Sequence, residues 1–166
     1  ACDMCGPKYR LVGKNGKEVS DDNPIKVVAG LIDNGAIVAL QGIGGTHIAT
    51  KTSDSRSIEM LRKRKNRYQR PFALMVRDLD VLKNLVDINQ LEERILTSWR
   101  RPIVLAPRKA LESNVLPLIQ DSVLDLIAPG LDSIGVMLPY APMHHLLFKY
   151  SDEPALVMTS ANPTGI

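Results

Sequence analysis

Cysteine occurs only at Cys2 and Cys5 in this 166-residue chain, which argues against the multi-cysteine framework that staples small secreted domains. Aromatic residues make up 4% of the sequence, so the interior must be filled chiefly by Val, Ile and Leu, as in sheets covered by helices. No apolar run approaches the ~20 residues that span a bilayer, and no basic–apolar–small leader opens the chain. A membrane role is therefore not expected, and a cytoplasmic location is. Internal repeats and low-complexity tracts are missing too, which sets aside solenoid and linker-like classes.

What is present suits one domain with a sizeable core: 45% of the residues are hydrophobic. The net charge of +3 and pI near 8.9 are far from those of a protein that lives on duplex DNA. The charge is uneven, however. Residues 62–70, "RKRKNRYQR", hold six bases and no acid, which leaves the remainder slightly acidic. A concentrated patch on a near-neutral body points to a local anion site more than to a general polyanion surface.

Residues 1–22 are polar and irregular apart from a short strand expected near Tyr9–Val12, and read as an arm or linker. "DNPIKVVAGLIDNG" carries helix signals at both ends: Asp22 or Asn23 as cap, Pro24 in the first turn, Gly35 as stop. "AIVAL" and "THIAT" read as strands around the glycine turn "QGIGG". "SDSRSIEMLRKRKNR" reads as a helix with acids early and bases late, matching the macrodipole. "PFALMV", "PIVLA", "IGVMLP" and "PALVMTS" are further strands, and helices are expected over "LDVLKNLVD", "NQLEERILTSW" and "MHHLLFKY". Such interleaving predicts an α/β domain with a mixed or mostly parallel sheet. Residues 107–133 show no strong periodicity.

Each chemical candidate has a plain structural alternative. Cys2 and Cys5 have zinc-knuckle spacing but lack a second pair, so they read as half of a zinc site whose other ligands lie upstream; Gly6-Pro7 disfavours a redox pair opening a helix. "QGIGG" fails the dinucleotide-loop spacing and reads as turn chemistry. His47, His144 and His145 form no recognisable triad with a nucleophile and carboxylate. Ser160 and Asn162 in "MTSANPTG" follow an apolar strand, where α/β sheets build ligand sites, but ordinary turn residues would look the same. Within the basic run, Arg62, Lys63 and Arg64 read as a solvated helix face, while Lys65 and Arg67 leave the helix and could converge on a phosphate. Tyr68 alone offers a stacking surface, so nucleic acid is a weak expectation.

In this order, "CDMCGPKY", "GAIVALQGIGGTHIAT", "LRKRKNRYQRPFALM", "RRPIVLAPRK" and "IAPGLDSIGVMLPYAPMHHLLF…PALVMTSANPTG" resemble the YrdC-like region of HypF carbamoyltransferases, over essentially the whole chain. The most specific parts are "LPYAPMHHLL" and the cysteine pair followed by Gly-Pro. The resemblance implies a YrdC-like twisted mixed sheet with flanking helices around a basic cavity. It places the end of a zinc-finger module and a linker in residues 1–22 and the nucleotide-binding domain in 23–166, with that domain's end expected beyond this chain. It further implies that ATP and a carbamate derived from carbamoyl phosphate form carbamoyl-adenylate. The carbamoyl group would then pass to the C-terminal cysteine of a HypE-type acceptor during [NiFe] hydrogenase maturation, as the precursor of the cyanide ligand.

The family's Lys-x-Arg falls on Lys65 and Arg67, and its Ser-x-Asn on Ser160 and Asn162, near the nucleotide phosphates and Mg²⁺. Arg101, His144 and His145 are candidates for the carbamate end, and Cys2 and Cys5 for structural Zn²⁺. Gln41, Thr46, Thr50-Lys51 and Tyr68 depart from the family pattern, which has Lys, Phe, Cys-Asp and Pro there. The alternatives are a threonylcarbamoyl-adenylate synthase of the same fold, which would need threonine and bicarbonate, and an RNA-binding module with strongly salt-dependent affinity.

Overall fold

A sheet with helices on both faces needs strands that are apolar on both sides, and the central strand here, ALVMTS, meets that demand until its last two residues. In a computed structural model of the protein, residue 6 and residues 8–19, 22–110 and 119–162 are described. A two-residue-per-strand hairpin, β1 (Leu11–Val12) and β2 (Glu18–Val19), comes first, where the sequence suggested a single strand. Helix α1 (Pro24–Asp33) follows, then β3 (Val38–Gly42), β4 (Gly45–Lys51), α2 (Ser55–Arg64) and β5 (Ala73–Val76). Next come α3 (Leu79–Leu85), α4 (Gln90–Thr97), β6 (Val104–Pro107), α5 (Asp121–Ile127), β7 (Ser133–Met137), α6 (Pro142–Tyr150) and β8 (Ala155–Ser160).

Six strands form one sheet in the order β3-β4-β8-β5-β7-β6. Of the two expected arrangements, mixed or mostly parallel, the sheet is the mixed one, and only the β5–β7 pair is parallel. Strand periodicity sorts the core into two layers. Ala155 and Val157 of β8, with Leu74 and Val76 of β5, face Ile58 and Leu61 of α2, Leu82 and Leu85 of α3, Leu96 of α4 and Leu124 and Ile127 of α5. Leu156 and Met158 of β8, with Met75 of β5, face the other way onto Ile25, Ala29 and Ile32 of α1 and Leu147 and Phe148 of α6. Both faces being covered is why "PALVMTS" has no apolar–polar alternation.

Asn23, not Asp22, caps α1: its side chain accepts from Lys26 N at 3.1 Å. Helix α5 lies where no periodicity was legible; Gln120 at its start makes no side-chain cap bond, so it lacks the start signal that Asp78 gives the equally short α3. The zinc-ligand assignment to Cys2 and Cys5 lies outside the described residues. No helix among the described residues is long and apolar enough to cross a membrane.

Helix α2 stops at Arg64, short of the predicted Arg67, because Asn66 takes a left-handed conformation with φ +48°. Two backbone bonds complete the stop: Asn66 N–H to Lys63 O at 3.2 Å and Arg67 N–H to Arg62 O at 3.0 Å. That pattern is a Schellman cap, with asparagine in the position glycine usually fills. It turns the chain back toward the sheet and aims the residues on either side of Asn66 at β8.

Arg62 overturns its sequence reading. It is 6% exposed rather than solvated. Its Nε donates to Leu126 O at 2.6 Å and its Nη2 to Ile127 O at 3.1 Å. Its Nη1 lies within bonding distance of three more carbonyls, those of Arg67 at 2.6 Å and of Tyr68 and Arg70 at 3.1 Å. The guanidinium lies over the Phe72 ring at 4.7 Å. One side chain thus ties the end of α5 and the whole loop between α2 and β5 to a common point.

Replacing Arg62 with Met should destabilise the fold by about 2–4 kcal/mol, since buried carbonyls lose charged donors. Arg62→Lys should recover little of this, because one ammonium cannot reach two loops as a planar fork does. Urea unfolding of the three proteins measures both effects, and equal stability of the Lys variant would contradict the fork assignment.

Candidate functional site

Strand β8 ends at Ser160, with β4 on one side and β5 on the other: His47 lies opposite Ser160, and Ala73 opposite Met158. The Schellman turn delivers two bases to this point. Lys65 Nζ donates to Ser160 O at 2.7 Å and to Asn162 O at 2.9 Å. Arg67 Nη1 donates to Thr159 Oγ1 at 3.3 Å and its Nη2 to Pro71 O at 2.6 Å. Arg67 also stacks on Phe72, 5.2 Å from the ring centroid. The sequence candidates Lys65, Arg67, Ser160 and Asn162, nearly a hundred positions apart, are therefore brought together, with the Ser160 and Asn162 side chains exposed.

This group is electrostatically strained. Burial, and then the neighbouring Arg67 charge, push the Lys65 ammonium below its ordinary pKa. Burial and then Arg70 do the same to Arg67. Among the described residues the ion pairs are Lys83–Glu93, Arg108–Asp125 and Lys109–Asp87, and none involves Arg62, Arg67 or Arg70. Arg67 Nε is buried with no hydrogen-bond acceptor among the described residues. Like charges held together, with a buried donor to spare, favour an anion. Arg67, held by a hydroxyl and a carbonyl oxygen, keeps its positive charge available to a ligand. RNA would find less here than the sequence suggests, because Arg62 is committed to the interior.

A different surface flanks the other side of Ser160. The β3–β4 hairpin turns through Ile43 and Gly44, with Gly42 opposite Gly45 and left-handed φ values of +91° and +129° at Gly44 and Gly45. The first turn of α6 lies against this hairpin: Met143 Cε is 3.4 Å from where a Cβ on Gly42 would sit. Three rings gather there. Tyr140 Oη is 3.4 Å from His47 Nδ1, and the Tyr140 and His144 ring centroids are 4.5 Å apart in a T-shaped arrangement. His144 is buried at 1% exposure, and its Nδ1 has no partner among the described residues. Burial first, then the nearby His47 and His145, lower its pKa to about 4, so the ring is neutral at pH 7. His145, next in sequence, is exposed and outside the cluster.

Arg101 is not brought to this place. Strand β6 reaches the Ser160 end of the sheet at Pro107, opposite Ser133, so residues before Val104 lie beyond its other end. There Arg101 adopts a left-handed φ of +44°, with its N–H on Ser98 O at 3.1 Å and its Nη1 on Leu96 O at 3.4 Å. Its observed partners are those of a helix-ending residue. Several departures from the family pattern have structural tasks: Thr50 Oγ1 donates to Ala36 O at 3.1 Å and Lys51 Nζ to Asp33 O at 3.2 Å. Gln41 and Tyr68 are exposed, and nothing in the structure explains the choice of residue at either.

Sequence reading missed Tyr140, which carries no motif of its own in "LPYAPMHH" and whose partner His47 is 93 positions away. It also missed the fastening of β8's far end. Buried Glu153 accepts from Thr52 N at 3.0 Å and Ser53 N at 3.1 Å, and also from the Ser53 hydroxyl. Thr52 Oγ1 meanwhile donates to Ala155 O at 2.9 Å.

Comparison with known proteins defines the class. The Sua5/YciO/YrdC family model, described as telomere recombination, matches residues 30–166, and the chain belongs to this family. Within that class it is similar to carbamoyltransferase HypF of Rhizobium leguminosarum bv. viciae, at 43% identity over 149 residues, covering 86% of this chain and 18% of that protein. The crystal structure of T. kodakarensis HypF matches with a TM-score of 0.87 and 41% identity, over 100% of this chain and 20% of that one. A full-length HypF in a phosphate- and nucleotide-bound form matches with a TM-score of 0.75 and 44% identity, over 85% and 21%. The chain thus spans between 18% and 21% of the length of these relatives.

The neutral His144 makes stability depend on pH. Its folded pKa lies below the unfolded value, so the unfolded chain binds the extra proton and stability falls as pH drops from about 6.5 to about 4. The expected loss over that window is about 3 kcal/mol from this group. A His144→Phe variant should lose less stability over the same range in urea melts; a parallel decline in both proteins would refute the assignment.

Proposed function

We propose that this domain binds ATP and carbamate, the latter derived from carbamoyl phosphate, and joins them as carbamoyl-adenylate with release of pyrophosphate. The observation that carries this reading is the convergence of Lys65 and Arg67 on the Thr159–Asn162 end of β8. Similarity to HypF carbamoyltransferases over the whole chain supports the substrate class.

Chemically, a carbamate oxygen attacks the α-phosphorus, a P–O bond to the β-phosphate breaks, and pyrophosphate leaves with the electron pair. Two anions must meet, so the site has to neutralise charge and align them. Lys65 acts as a point charge and Arg67 as a planar fork on the triphosphate. A general base is unnecessary because carbamate already carries its negative charge, and the missing triad is consistent with that. Ser160 and Asn162 offer neutral oxygen donors suited to Mg²⁺, which would offset the charge of the departing pyrophosphate. Mg²⁺ would arrive as the nucleotide's own counter-ion. Structural Zn²⁺ is assigned to Cys2 and Cys5 with further ligands from a longer chain. Carbamoyl transfer to the C-terminal cysteine of a HypE-type acceptor, in the cytoplasm, completes the proposal.

In the natural polypeptide that carries this domain, Lys65→Ala and Arg67→Ala should each lower carbamoyl-phosphate-dependent ATP–pyrophosphate exchange by at least ~100-fold. Exchange within ~3-fold of wild type in both variants would remove the phosphate-clamp assignment. Exchange driven by threonine and bicarbonate instead would move the protein to the threonylcarbamoyl-adenylate class.

A further inference from the structure

The end of β8 separates two chemically unlike surfaces. On one side stand Lys65, Arg67 and Arg70, a cationic group under mutual repulsion. On the other stand His47, Tyr140 and His144, held close together: ring centroids lie 6.2 Å apart for His47–Tyr140 and 6.3 Å for His47–His144. His47 faces Ser160 across the β4–β8 pair, and residues directly opposite in a sheet present their side chains to the same face. Lys65 donates to the Ser160 backbone, one inter-strand spacing of about 5 Å from His47 on β4, so a ligand whose phosphates lie at that backbone can extend toward His47 and Tyr140.

We infer that His47 and Tyr140 recognise the carbamoyl end of the substrate by hydrogen bonding, and that His144 is the positioning residue that holds them. This rests on the adenylate-forming reading above. A carbamoyl group carries one C=O acceptor and an NH₂ with two donors, so its recognition needs a donor and an acceptor together. The pair supplies both. Tyr140 has a hydroxyl that both donates and accepts, and the His47 ring sets a second polar edge beside it. His47 Nδ1 faces Tyr140 Oη at 3.4 Å, a long bond that a ligand can replace, and His47 Nε2 has no hydrogen bond among the described residues.

His144 lies behind this pair, buried, with its ring edge-on to Tyr140 at 4.5 Å. Burial there disfavours the imidazolium, and that matters for orientation: a cation at this position would draw the triphosphate to the wrong half of the site. Charge therefore sorts the ends of the substrate. The same arrangement favours product over reactant, because the charge of free carbamate leaves with pyrophosphate while the adenylate's carbamoyl group is neutral.

The test uses two stable adenylate mimics that differ in one group: 5′-O-(N-carbamoylsulfamoyl)adenosine, ending in NH₂, and 5′-O-(N-acetylsulfamoyl)adenosine, ending in CH₃. A site built to hydrogen-bond the NH₂ should prefer the first by ~10-fold or more, since the methyl leaves buried polar groups unpaired. Calorimetric titration of the natural polypeptide should give that preference. Tyr140→Phe and His47→Ala should each reduce it to under ~3-fold, because the carbamoyl mimic loses more affinity than the acetyl mimic, which keeps only the C=O. His144→Phe keeps the bulk, and should reduce the preference without lowering affinity for the acetyl mimic, a result that a merely structural role would not produce. Equal preference in wild type and all three variants would overturn the inference while leaving the phosphate clamp intact. Failure of either mimic to bind wild type would overturn the adenylate reading itself, and this inference with it.

Discussion

The buried guanidinium of Arg62 is the interaction on which the site depends. A cation in the interior is costly unless its donors are all occupied, and here they meet carbonyls from two separate segments. The α2–β5 loop has little apolar side chain of its own to bury, since most of its residues are basic or amide. What fixes it is the guanidinium, together with the left-handed Asn66 that reverses the chain. Lys65 and Arg67 ride on that loop. Their positions are consequences of a neighbour that touches no ligand, and the Phe72 ring between Arg62 and Arg67 links the two roles.

Much of the architecture was readable from residue order. Strand β8 and its polar end were legible because a continuous apolar run stops abruptly at hydroxyl and amide residues, and α1 because cap and proline agree. Strand pairing was less so. Apolar runs on a doubly covered sheet look alike whether their neighbours are parallel or antiparallel, and only the long route from β5 through α3, α4, β6 and α5 to β7 creates a parallel pair. Helix α5 was invisible because no capping side chain marks its start.

Side-chain roles divided along the same line. Lys65 and Arg67 could be named through family resemblance, yet nothing local said which of six bases would be buried. Arg62 finds two of its carbonyls 64 and 65 positions away, a relationship no window over the basic run contains. The ring cluster presents the same difficulty: His47 and His144 are unremarkable singly and acquire meaning only when α6 lands on the β3–β4 hairpin. Arg101 shows the converse. It looked like a ligand residue beside a strand, but the direction of β6 carries it to the other end of the sheet.

Glu153 gives β8 a second fastening, at the end remote from the basic loop. A strand paired on both sides and anchored at its foot has almost no freedom to slide along its own axis. The residues at its tip are consequently carried on a rigid post. That post is the common reference for both flanks, since Lys65 grips the Ser160 carbonyl and His47 stands opposite Ser160 on the neighbouring strand.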